Sequence, residues 1–335
     1  MMAKPPPPHR ARGTGPHGRR QRGAALLLAM IILSTVATVA AGMVWQQTRA
    51  VEVEAAERAR VQAAWILAGA LDWARLILRE DQRSSQRGRN VDSLDEPWAT
   101  PLAEARLSSF LAADKDNTVD SGPEAFISGS IVDAQARFNL RGLVDREGKP
   151  VPAQMAALQR LCQLVGLPGD TAERIGSGLA AAQAPADGAT DTPLRPTQLA
   201  DLAWIGIDAA TIERLAPWVD LLPAPTPVNV NTAPREVLVA AIDGLDLGTA
   251  ERLVQMRSRR PFATLEAVKA ELPEGSAVEA ARLSVGSTYF EVAGRLRLEE
   301  RVLEERSLLE RRPGGGGGDV VVRRRERRSL MAAPL

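Results

Sequence analysis

The chain has 335 residues, with 42 basic against 41 acidic side chains and a formal net charge of +1, so no global field favours nucleic acid. Its one cysteine, Cys162, excludes an internal disulfide and a cysteine metal cage, and its two histidines, His9 and His17, lie so close to the N-terminus that histidine-based catalysis and ligation are removed from the folded part. Apolar content of 45% and charged content of 25% are those of a globular protein of one large or two small domains.

The N-terminal stretch carries Lys4, Arg10, Arg12, Arg19, Arg20 and Arg22 and no acid, stops at Gly23, and turns wholly apolar. Residues 24–44 hold no charge. As a helix, that run spans about 30 Å, the thickness of a bilayer's hydrocarbon. Basic residues before it and Trp45 after it set the N-terminus in the cytoplasm. The rest of the chain is then outside, which in a Gram-negative cell is the periplasm. Three readings of the junction stand: a signal peptide cut near Val39, Ala40 and Ala41, an uncleaved anchor, or a cut on the cytoplasmic side after the glycine.

Residues 46–83 contain no proline and one glycine, Gly69. Val61, Ala64, Ala68, Leu71, Ala74 and Leu78 recur at the spacing of one helical face, with Trp65 and Trp73 beside it. One helix thus continues from the apolar run into the soluble part. Basic leader, glycine, apolar helix and amphipathic continuation resemble a type IV pilin or a type II secretion pseudopilin. The resemblance implies that a prepilin peptidase cuts between Gly23 and Ala24 and that the new N-terminus is methylated. The fifth residue after the cut, usually Glu in such proteins, is Leu28. An unpaired carboxylate in an apolar assembly is costly. Its absence is typical of the K-type minor pseudopilin of the general secretion pathway, which is thought to occupy the tip.

Residues 88–101 read as loop and 102–113 as a short helix. Asp114, Asp116, Asp120 and Glu124 follow closely. Such alternating oxygen ligands suit calcium, although the glycine and glutamate of an EF-hand loop are missing. A solvated acidic turn is the preferred reading, and calcium is the alternative, supported by the resemblance, which includes calcium-carrying pseudopilins. Residues 126–140 alternate as one or two short strands, with Asn139 as a turn residue whose side chain holds nearby backbone.

From 152 to about 222 the pattern is helical, with a loop at 185–196 and a turn at Gly206. The segment "NVNTAPREVL" then opens a region that resembles a helix-hairpin-helix unit, with Thr232 as the expected cap of a helix starting near Pro234. Such units bind DNA through the amides of a tight Gly-x-Gly hairpin. Here the hairpin, "GLDLG" from Gly244, is longer and acidic at Asp243 and Asp246, which favours a packing module. Arg257, Arg259 and Arg260 read as a solvated face. Alternation returns at 284–298, and "RVLEERSLLERR" reads as a further strand. A glycine-rich linker follows, then "DVVVRRR" as an edge strand and a disordered basic tail.

The expected fold is α+β: a pilin-like N-terminal helix and an antiparallel sheet, with a large all-α domain of helix-hairpin-helix type inserted between strands. The expected divisions are a leader at 1–23, a transmembrane helix at 24–44, helix and first strands at 45–140, the inserted domain at 141–282, the last strands at 283–312, and linker and tail at 313–335. The resemblance implies a structural, non-catalytic minor pseudopilin at the tip of the type II secretion pseudopilus, needed for its assembly and for export across the outer membrane. Implied partners are minor pseudopilins of I and J type, other pseudopilus subunits, the prepilin peptidase and the inner membrane. Leu28, Val61, Ala68 and Leu71 are the candidate partner-packing residues. A membrane-anchored periplasmic DNA-binding protein is the alternative.

Overall fold

The structure, a computed structural model, describes residues 20–86, 91–107, 125–183, 193–276, 278–298, 301–312 and 319–331. The chain divides into two units, one ending at Ala64 and one beginning at Trp65, taken separately below.

Helix α1, Arg20–Gln86, contributes to both. Alanine, leucine, arginine and glutamate dominate it, all strong helix formers, and no proline interrupts it. In the first unit the apolar side chains from Leu26 to Val44 are exposed. The helix from Ala24 has the length and composition to cross a membrane, with a peak mean hydropathy of 2.4. The hydroxyls of Thr35 and Thr38 donate to the carbonyls of Ile31 and Ser34, so neither needs water. Internal pairing of this kind is required in hydrocarbon.

In the second unit Leu67, Leu71, Ala74 and Leu78 form the buried face of α1. Their 4-3-4 spacing is that of a helix lying on a sheet. The sheet has the order β1 (Leu102–Arg106), β2 (Ala125–Asp133), β7 (Tyr289–Leu298), β8 (Arg301–Arg312), β9 (Asp319–Met331), each neighbour antiparallel. Leu71, Ala74 and Leu78 pack with Trp98, Phe290, Val292, Leu309 and Val320. Trp98 meets Phe290 edge-on at 5.2 Å, a favoured aromatic geometry.

Strands β2 and β7 are hydrogen-bonded neighbours, yet among the described residues every α-helix except α1 lies between them in the chain. That intervening part is an insertion between adjacent strands. It holds β3 (Phe138–Asn139), α2 (Pro152–Leu164), α3 (Thr171–Gln183), a 3-10 turn (Leu199–Ile205), α4 (Ala209–Leu215), β4 (Val219–Asp220), β5 (Val228–Asn229), α5 (Arg235–Ala241), α6 (Leu247–Arg259), α7 (Leu265–Lys269) and β6 (Leu283–Ser284). Its core is its own, built on Leu158, Leu161, Ile175, Leu202, Leu238 and Leu253. Gly178 lets α3 meet the 3-10 turn, since a Cβ there would lie 2.8 Å from Ile205. Gly206 ends that turn at φ 82°, a conformation glycine adopts freely. A smaller apolar seam of Ala134, Leu222, Tyr289 and Leu308 joins the insertion to the opposite face of the sheet.

Two expectations are corrected. Residues 102–106 are strand β1, not the start of a helix. Pairing with β2 overrides local helix propensity, helped by Arg297, which bonds Glu104 and lies 4.1 Å over Phe126. The edge strand expected at 319–325 is present and runs on to Met331, where a disordered basic tail was expected from the arginines. Acids on β8 supply the partners: Arg323 bonds Glu310, and Arg325 and Arg327 both reach Glu305. Residues 313–318 and 332–335 lie outside the described residues.

Leu78→Ala removes a fully buried side chain from beneath α1. The expected loss is about 3 kcal/mol of unfolding free energy, and Val61→Ala, at an exposed position, should cost under about 0.5 kcal/mol. Denaturant titration of the two variants checks both values.

Candidate functional site

The expected processing position, Gly23–Ala24, falls within α1, and Ala24 is exposed. Leu28 is 61% exposed, Val61 54% exposed, and Ala68 half-buried. Leu71 does not fit its expected role: it is buried against the chain's own sheet, because the helix must cover that sheet with one face. The large apolar side chains that α1 leaves exposed in the second unit are Trp65, Trp73 and Leu76, at 75%, 48% and 56%. Their spacing places them along one side of the helix. Asp114, Asp116, Asp120 and Glu124 lie outside the described residues.

The helix-hairpin-helix segment is built for packing. Asp246 caps α6, accepting from the amides of Gly248 and Thr249 at 2.8 and 3.0 Å. The amides that would meet a phosphate are thus already occupied. Asp243 pairs with Arg160 and Arg282 and pins the hairpin to α2. Arg257, expected on a solvated face, is buried and donates to the Val230 carbonyl, because α6 turns that side towards β5. Thr232 does not cap α5 either: Pro234 occupies that position, and the Thr232 hydroxyl donates to Asp133 at 2.6 Å. Asn139 behaves as expected, accepting from the amides of Arg141 and Leu222.

Asp133 ends β2 and is the centre of a buried polar hub. Its carboxylate accepts from the Gln135 amide, from Asn229 Nδ2 at 2.9 Å, from Thr232 and from Ser287 Oγ at 2.7 Å. Asn229 also donates to the Asp92 carbonyl, and the Asp92 carboxylate accepts from the Ser287 amide. Arg311, on β8, bonds both oxygens of Asp92, and reaches Asp81 on α1 at 2.6 Å and the Ser287 carbonyl. Its guanidinium also lies 4.4 Å over Phe290. Helix, loop, three strands and insertion meet here through side chains hidden from water. Sequence patterning missed this hub. Its signal was the polar residue inside an apolar alternation, as in Val132-Asp133 and Val228-Asn229-Val230-Asn231.

Burial raises the carboxyl of Asp133 despite its donors. Asp81 is pushed up to about 6 by burial, which outweighs the opposing pull of Arg311. Glu96, accepting from the Trp98 indole at 2.5 Å, is pushed up to about 7, again by burial first. Asp81, Asp92 and Glu96 bring carboxylate oxygens within 4.8 Å of one another, a spacing that could hold a metal ion. Here Arg311 supplies positive charge to two of them. The Cys162 thiol is buried and pushed up to about 11, so it is not a thiolate nucleophile near neutral pH.

A long helix on an antiparallel sheet, with an exposed uncharged N-terminal span and no histidine or reactive thiol among the described residues, defines a pilin-like class of protein. A family profile described as type II secretion system (T2SS), protein K, matches residues 228–292, and a second of that description matches 136–224. The type II secretion system protein K of Pseudomonas aeruginosa is 30% identical over 84% of this chain and 86% of its own length. That of Pectobacterium carotovorum is 30% identical over 87% of this chain and 92% of its own. A solved structure, the GspK–GspI–GspJ complex from enterotoxigenic Escherichia coli, matches with a TM-score of 0.54 at 19% identity, covering 81% of this chain and 98% of that one, and shows the same fold. The chain belongs to the type II secretion system protein K family, and its role is that of a minor pseudopilin in type II secretion.

The raised carboxyls give a pH dependence of stability. Asp81 and Glu96 keep their protons to higher pH in the fold than their ordinary values of 3.8 and 4.5 allow in the unfolded chain. Their contribution is therefore complete below those values and is lost as pH rises through about 6 and about 7. In thermal unfolding between those limits, Glu96→Gln should lose less stability than the natural chain as pH rises. Equal slopes would contradict the assignment.

Proposed function

We propose that this minor pseudopilin occupies the tip of the pseudopilus, with the N-terminus of its precursor in the cytoplasm and the second unit in the periplasm. The observation that carries the reading is the uncharged span 24–44 with Leu28 as its fifth residue. A subunit without a carboxylate there offers nothing to the N-terminal amine of a subunit placed beyond it. The apolar helix holds the protein in the inner membrane until assembly, then packs among neighbouring pilin-like helices. The inserted domain, by its bulk, blocks further addition. Cleavage falls between Gly23 and Ala24, and Leu28 and Val61 meet neighbouring helices. The protein acts by assembly and not by catalysis.

The partners are minor pseudopilins of the I and J types. The solved complex of GspK with GspI and GspJ supports this for a protein of the same fold. So does the exposure of Trp65, Trp73 and Leu76, a strip of the kind that marks a docking face.

Intact mass and N-terminal sequencing, with and without an active prepilin peptidase, test the first step. A mature chain starting at Ala24, formed only with the peptidase, is expected; an uncut chain, or one starting near Ala41, contradicts it. For assembly, Trp65→Ala with Trp73→Ala should weaken co-purification with the I- and J-type subunits by about tenfold, about 1.4 kcal/mol, without altering thermal stability. Unchanged co-purification would remove that face from the interface.

A further inference from the structure

The outer edge of β9 is an uncommon one. It runs for thirteen residues and, among the described residues, pairs with β8 on one side and with no strand on the other. It also lies beyond both segments matched by the family profiles, which end at residue 292.

The ladder fixes which of its backbone groups face outward. The Arg311 amide donates to Thr288, on the β7 side. In an antiparallel ladder the direction alternates, so Leu309, Ser307 and Glu305 also face β7 with their backbone groups. Their partners on β9 are Val322, Arg325 and Arg327, preceded by Val320 opposite Arg311. These residues therefore turn their N–H and C=O groups away from β8. At Val320 the outward carbonyl is taken by the Arg75 side chain at 2.9 Å. Beyond it, no strand among the described residues pairs with the edge at Arg325 and Arg327.

The same stretch is strongly basic. Arg323, Arg324, Arg325, Arg327 and Arg328 share three carboxylates, Glu310, Glu305 and Glu326, so positive charge is in excess. Two β9 edges brought together would set arginines against arginines, which disfavours a second copy of this chain. An acidic strand has the complementary charge and the complementary backbone groups.

We propose that the β9 edge takes an acidic, extended segment of another protein as a sixth strand of the sheet. Main-chain bonds to Arg325 and Arg327 supply the pairing, and acidic side chains opposite the arginines select the partner. The arginines then have two roles: they guard a long edge against indiscriminate pairing, and they admit one class of strand.

The test uses the full chain in detergent and a short fluorescein-labelled peptide of alternating Glu and Val, followed by anisotropy. Binding is expected, with no binding of the Lys–Val counterpart. Methylating alternate backbone nitrogens of the Glu–Val peptide should weaken it by about tenfold or more. Arg327→Val removes one charge and keeps the outward amide. Arg327→Pro removes both and spares the bonds to β8, so it should bind more weakly than Arg327→Val by a similar factor. Failure of the Glu–Val peptide to bind overturns the proposal. So does equal binding of the methylated peptide, or full competition by inorganic polyphosphate, either of which would make the edge a general anion surface. The peptide series decides the question even if Arg327→Pro unfolds.

Discussion

The second unit depends on one constraint: the guanidinium of Arg311, buried on β8, must be neutralised without water. Asp92 and Asp81 do this from a loop and from α1. Removing one partner of such a group leaves an uncompensated charge, which is costlier than the pair is favourable. The sheet cannot therefore form fully without the helix and the loop in place. Asp92 passes the constraint to Ser287 and Asn229, and these reach Asp133 at the end of β2. Arg311, Asp92, Ser287, Asn229 and Asp133 each bond at least two others, the condition under which a buried polar network specifies one arrangement.

This explains how so large an insertion can sit between two neighbouring strands. The insertion leaves the sheet at Asp133 and returns at Ser287, and these two residues are bonded to each other. The entry and exit points are thereby closed into a single knot, and the ordering of the insertion is tied to that of the sheet. A second tie lies on the opposite side, where Arg137 bonds Asp220 of the insertion and Glu291 of β7, each at 2.7 Å. With both in place the helical domain has a defined bearing on the sheet.

Much of this was legible in the sequence because it rests on local patterns. The uncharged span, the continuous helix, the period-two alternation of β7 and β8 and the turn at Gly206 each declare themselves within a few residues. What was not legible is non-local. Residues 102–106 read as helix until β2 is placed beside them. The arginines of β9 read as tail until Glu305 and Glu310 are known to face them. Leu71 and Trp73 sit two residues apart, and only the position of the sheet shows that one is core and the other surface. Thr232 has the composition of a cap, but Asp133, far away in sequence, competes for its hydroxyl and wins.

The family assignment and the exposed N-terminal helix place this protein in an assembly, and the hub gives the assembly a rigid piece to work with. The most direct test of that claim is hydrogen exchange of the natural chain and of Asn229→Ala. Asn229 touches the loop at Asp92, the end of β2 at Asp133, and Ser287 just ahead of β7. Its loss should lower protection together in β7 of the sheet and α5 of the insertion, by about 2 kcal/mol in each. Faster exchange confined to the residues around position 229, with β7 and α5 unchanged, would show that the hub fills space without coupling the two parts, and would contradict the account.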